Sequence, residues 1–150
     1  MATAFYDIDL KGTRGCAAFN LRKTARVVTQ AYDAALRPSG LRSTQFTVLI
    51  AIALLEAPSV GALAEATLMD ATTMTRNLRL LKSAGLIEVS PRGAGREKQV
   101  RLSKAGERAL ARAVPMWRAV QARFVAALGP TTWSKMRAEL EEVASLAAEV

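Results

Sequence analysis

Apolar residues recur every three or four positions along most of this chain, and the breaks in that rhythm mark its elements. From about Ala17 to Leu36, the residues Leu21, Ala25, Val28, Tyr32 and Leu36 form one stripe, with Arg22, Lys23 and Arg26 off it. Pro38 and Gly40 stop this helix. A second helix is predicted after Ser43 or Thr44, either able to cap it. Its apolar face is Phe46, Leu49, Ile50, Ala53 and Leu54, and Pro58 ends it. Ser59 caps a short helix carrying Val60, Leu63 and Ala64, and Leu68 and Met69 fill the turn that follows. Asp70 caps the next helix, because its carboxylate takes amide protons that the first turn leaves unpaired. Met74, Leu78 and Leu81 face inward there, and Gly85 sits where a left-handed C-cap belongs.

The period then drops to two. Leu86–Val89 reads as a strand, SPRGAGR as a loop, and Glu97–Leu102 as a second strand with Val100 and Leu102 on one side and Gln99 and Arg101 on the other. Ser103 caps a long helix that runs past Pro115, where a bend is expected, and on through Trp117, Val120, Phe124 and Leu128. Gly129 and Pro130 close it. A last helix starts near Thr131 or Thr132 and spaces Trp133, Met136, Leu140, Val143 and Ala147 helically. The fold class is mainly α, with one two-stranded hairpin. Residues 1–15 read as an irregular arm. The long helices at both ends carry apolar faces that one small domain leaves uncovered, so a second copy of the chain is expected to cover them.

Charge adds a partner to this outline. The 150 residues hold 21 Lys and Arg against 13 Asp and Glu, a net +8. The excess is +3 over residues 1–60 and +5 over 61–112, while 113–150 is neutral. A basic front and middle suit a polyanion, above all double-stranded DNA. In the helix after Asp70, Thr72, Thr73, Thr75, Arg76 and Arg79 point away from Met74, Leu78 and Leu81. Threonine offers a hydroxyl and a methyl to base edges, and arginine forks onto guanine or phosphate, so this helix suits the major groove. The bland alternative is a solvated helix face. Arg92 and Arg96 lie in the glycine-containing loop, whose thin tip suits the minor groove, while Lys98 meets phosphate or solvent. Arg42, Ser43 and Gln45, at the start of the second helix, are candidates for the DNA backbone.

Other chemistries find little support. No histidine and a single cysteine leave no zinc-ligand set and no internal disulfide, consistent with a reducing cytoplasmic setting. No apolar run is long enough to span a bilayer, and the N-terminus lacks the order of a signal peptide. Without a base, a paired-carboxylate motif or a phosphate loop, no enzyme, cofactor or metal is expected. Cys16, near a helix start with Lys11 and Arg14 close in sequence, has two readings: a redox-responsive thiol, or a small buried hydrophobe beside Ala17 and Ala18.

FNLRKTARVVTQAYDAALRPSGLRSTQFTVL, then DATTMTRNLRLLKSAGLIEV, then VRLSKAG together resemble the MarR family of winged helix-turn-helix transcriptional regulators, from about Phe19 to Val143. The resemblance implies a homodimer, with 1–36 and 113–150 forming the dimerisation region and 37–112 the DNA-binding lobe. It implies a repressor of a palindromic operator, with residues 71–83 in the major groove and the wing, 88–101, at the minor groove. It also implies a small lipophilic or phenolic effector that releases DNA, bound near Phe19, Leu21, Arg22, Phe46 and Leu49. Two departures stand out. The family's wing sets an aspartate before its key arginine, whereas Gly95 precedes Arg96 here. The reactive cysteine of the hydroperoxide-sensing branch matches Ala18 rather than Cys16. The alternatives to a sequence-specific regulator are a non-specific architectural DNA binder and a protein-interaction module on the same scaffold.

Overall fold

The computed structural model describes residues 10–90 and 97–149. After a 3₁₀ turn at Thr13–Gly15 come α1 (Ala17–Leu36), a second 3₁₀ turn (Arg37–Ser39), α2 (Ser43–Leu54), α3 (Val60–Thr67) and α4 (Ala71–Ser83). Strands β1 (Ile87–Val89) and β2 (Val100–Leu102) follow, then α5 (Lys104–Leu128) and α6 (Pro130–Glu149). The strands pair antiparallel, with Ile87 opposite Leu102 and Val89 opposite Val100. A bridge from Ser59 to Gln99 and the Val100 N–H donated to the Pro58 carbonyl, 2.9 Å, attach the hairpin to the start of α3.

The caps follow side-chain chemistry. Ser59 Oγ accepts from the Ala62 N–H and Ser103 Oγ from the Gly106 N–H, each satisfying a donor the helix leaves free. The start of α2 differs from expectation. Its cap position is Arg42, and neither Ser43 nor Thr44 caps it with its side chain. Arg42 instead donates its N–H to Gln45 Oε1, and the Ser43 N–H goes to a carboxylate from α1.

One core joins α2–α4, the hairpin and the first half of α5. It contains Leu36, Leu41, Phe46, Val48, Leu49, Ile52, Leu63, Met74, Leu78, Leu81, Ile87, Val100, Ala109 and Ala113. The inward faces of α3 and α4 are those the periodicity predicts. That of α2 is not: Val48 and Ile52 are buried, while Ala53 and Leu54 are exposed. Nearly every side of α2 is apolar, so spacing alone selects no face. Leu68 does not fill its turn; it lies exposed at φ 52°, and only Met69 packs against the core. Ser39, buried beside the core, donates to the Leu36 carbonyl and accepts from the Leu41 N–H, which closes the turn between α1 and α2.

α5 is continuous through Pro115. Beyond the core, α1 and α6 leave apolar side chains in the open: Phe19 is 59% exposed, Val27 61% and Leu146 55%. Among the described residues no helix is long and apolar enough to cross a membrane.

Candidate nucleic-acid interface

α4 displays three stripes. Met74, Leu78 and Leu81 anchor it in the core. Thr72, Thr75, Arg76 and Arg79, spaced i, i+3, i+4 and i+7, line one shallow concavity with Ala71. Thr73 lies off this stripe. Its N–H donates to Asp70 Oδ1 at 2.8 Å and its hydroxyl to Asp70 Oδ2 at 2.6 Å, so its donors serve the helix start. The Thr73 hydroxyl is the foremost cause holding the Asp70 carboxyl below its ordinary range, followed by the Thr73 amide. Asn77, not singled out from the sequence, donates to the Thr73 carbonyl on that same flank.

Arg76 and Arg79 of α4 are uncommitted. Among the described residues the ion pairs are Lys104–Glu107, Lys135–Glu139 and Arg137–Glu141. None involves Arg42, Arg76, Arg79, Lys98 or Arg101. Arg42 and Arg101 still have a carboxylate nearby, Asp33 and the cross-strand Glu88, whereas Arg76 and Arg79 keep their field for a polyanion, and their desolvation breaks no existing pair. Lys98 is exposed at the base of the wing. Arg92 and Arg96 lie outside the described residues.

At the start of α2, Arg42 is exposed and Gln45 accepts from its amide. Ser43 differs from expectation as a phosphate ligand. Its N–H, at 2.7 Å, and its hydroxyl, at 2.6 Å, both donate to Asp33 Oδ1. A phosphate needs donors, and in this conformation Ser43 has none to spare. Asp33 belongs to α1 and was not picked out from the sequence. The Pro38–Gly40 turn folds its helix back so that residues ten apart meet. The Ser43 hydroxyl, above other causes, lowers the Asp33 carboxyl from its ordinary value.

A separate cavity of about 540 Å³ lies between α1, α2 and α5. Leu36, Phe46, Ile50, Val114 and Trp117 form its walls, and Tyr32, Ser43, Thr47 and Arg118 its polar edge. The Phe46 and Trp117 rings stack with centroids 6.1 Å apart. Of the residues expected around an effector, only Phe46 lines it. Leu49 is fully buried in the core, and Phe19, Leu21 and Arg22 are exposed toward the start of α1. The signal missed was in the middle of α5, where Val114, Trp117 and Arg118 share a face. Cys16 is exposed at the start of α1, not a buried hydrophobe. Among the described residues no cluster of side chains could hold a metal ion.

The MarR family model matches residues 39–97, from the turn before α2 into the wing. The transcriptional regulator MosR of M. tuberculosis, solved in complex with DNA, is 39% identical, with 89% of this chain and 97% of MosR covered and a TM-score of 0.82. A second MosR structure matches at 39% identity over 90% and 97% of the two chains, TM-score 0.79. BpsR of Bordetella bronchiseptica, whose DNA binding is regulated by 6-hydroxynicotinic acid, shares the fold at 23% identity over 87% and 94%, TM-score 0.76. No curated protein matches the chain significantly. With its exposed threonine and arginine helix, its two-stranded hairpin and its likeness to MosR along nearly the whole chain, this protein belongs to the MarR family of DNA-binding transcriptional regulators, which are not enzymes.

Proposed function

We propose that the chain acts as a homodimeric repressor that reads a palindromic operator with one α4 per half-site and leaves it when a small effector binds. The observation that carries this reading is the Thr72–Thr75–Arg76–Arg79 stripe, exposed and unpaired on a helix whose opposite side is locked into the core. Dimerisation through residues 1–36 and 113–150, with 37–112 as the DNA-binding lobe, is supported by the exposed apolar side chains of α1 and α6. Twofold symmetry then sets two α4 helices about 34 Å apart, one turn of duplex. The wing arginines Arg92 and Arg96 and the backbone contact of Arg42 complete the footprint. The cavity beside Phe46 and Trp117 falls within the roughly 300–1,000 Å³ of small-molecule sites. Its aromatic walls and single cation suit a lipophilic aromatic effector.

Selection of bound duplexes from a random pool tests the reading. The expected result is an inverted repeat, with affinity that falls steeply as salt rises because several phosphates release counterions. A pool that yields no preferred sequence would assign the chain to non-specific architectural binding. No retention of duplex even at low salt would leave only a protein-interaction role.

A further inference from the structure

The geometry points to Asp33 as a positioning residue that fixes the angle at which each DNA-binding lobe is held against the dimer arms. This rests on the two-reader dimer proposed above. Two consecutive residues of α1 reach in different directions. The Tyr32 hydroxyl donates to Gln121 Oε1 of α5, and the Asp33 carboxylate accepts both donors of Ser43 at the start of α2. Among the described residues these are the side-chain hydrogen bonds that join α1 to later helices. One ties α1 to the helix that leads into the C-terminal arm; the other ties it to the first helix of the lobe.

Apart from the Ser39 contacts that close the turn, the remaining attachment of α1 to the lobe is apolar. Leu36 is buried in the core, and the hydrophobic effect that holds it there is non-directional, so the packing of this helix end gains orientation from any directed polar contact beside it. The Asp33–Ser43 contact supplies direction. Two donors from one residue converge on a single carboxylate oxygen, and a charged acceptor makes such bonds shorter and stronger than neutral ones. The carboxylate also faces the positive end of α2 and the Arg42 guanidinium, both of which favour its ionised form. Ser43 stands between two spaces. Ser43 lines the cavity with Phe46 and Trp117, while its partner Asp33 lines a separate polar cleft with Gln30, Arg37 and Arg42. An occupant of the cavity therefore lies against the contact that sets the lobe angle.

A twofold dimer with a fixed lobe angle accepts one separation of half-sites, because two added base pairs rotate the second half-site by roughly 70°. The test is a panel of duplexes carrying the selected half-site as an inverted repeat, with the spacer lengthened and shortened by one and two base pairs. The parent chain prefers one spacer by at least about tenfold. In D33A that preference collapses to within about threefold across the panel, while affinity for a duplex with a single half-site stays at the parental value. D33N, which keeps an acceptor oxygen without its charge, recovers part of the preference. S43A, which removes the hydroxyl and keeps the amide, loses part of it and carries the comparison if D33A does not fold. A merely structural role would lower the melting temperature of these variants and leave the spacer profile of the folded dimer unchanged. Retention of the parental profile by folded D33A or S43A would overturn the proposal. A parent chain indifferent to spacing would overturn the two-reader dimer, and the role of Asp33 with it, before any variant is compared.

Discussion

Gly106 occupies the first turn of α5, where the helix crosses the entry to β1. A Cβ built there would stand 2.0 Å from the Leu86 carbonyl oxygen and 3.0 Å from its carbon. Both atoms are backbone, so no rotamer change relieves the contact, and helix or strand must move apart. The same few atoms hold the N-terminus of α5. The Ser103 N–H donates to the Leu86 carbonyl at 3.0 Å, Ser103 Oγ donates to the Gly85 carbonyl at 2.6 Å, and the Gly106 N–H donates to Ser103 Oγ at 3.0 Å. Helix propensity argues the opposite way, since alanine in place of glycine gains up to about 1 kcal/mol. Overpacking costs about 1–3 kcal/mol, and displacing the cap and one backbone hydrogen bond adds about 1 kcal/mol each. Steric cost wins, and G106A is expected to lose about 2–4 kcal/mol, or roughly 5–15 °C in melting temperature for a chain of this size. Urea unfolding at fixed protein concentration measures it, because association adds to apparent stability. The control is G61A in α3, whose Cβ would meet only Ser59 Oγ at 3.8 Å. It is expected to be stabilising by about 0.5–1 kcal/mol. A G106A midpoint at or above that of the parent would refute the close approach of α5 to β1.

R76A is expected to cost about 1–3 kcal/mol of operator binding and little on random duplex, measured by competition titration; equal losses on both would make Arg76 a backbone contact. Asp33 and Asp70 both titrate below the ordinary 3.8 in the folded chain. Their contribution to stability is therefore complete above that value and is lost as pH falls through their lowered folded values. Carboxyl titration by NMR should place both midpoints under 3.8, and a midpoint at or above it would contradict the contacts with Ser43 or Thr73. I50W puts an indole into the cavity where Ile50 forms a wall. It should abolish the binding of 1-anilinonaphthalene-8-sulfonate, read by fluorescence, and, by standing where the effector would, weaken operator binding; undiminished dye binding would place the dye elsewhere.

The sequence alone determined the elements whose signals are local. Ser59, Asp70 and Ser103 announced helix starts because a cap is a contact within three residues. Met74, Leu78 and Leu81 announced the buried side of α4, and so its exposed side, because a polar face leaves the apolar one no choice. The resemblance in the same blocks pointed to the family. Contacts between distant segments were decided only by tertiary structure. The buried face of α2 depended on its neighbours, since an almost wholly apolar helix carries no preference of its own. The cavity depended on α5 crossing α1 and α2, which brings Trp117 to Phe46 across a chain separation that no periodicity encodes. Asp33 meets Ser43 only because the turn after α1 brings the two together, and Gly106 meets the Leu86 carbonyl only because α5 crosses the entry to β1. In each case the deciding energy comes from desolvation, packing or a hydrogen bond between residues far apart in sequence, and it exists only once the chain has closed on itself.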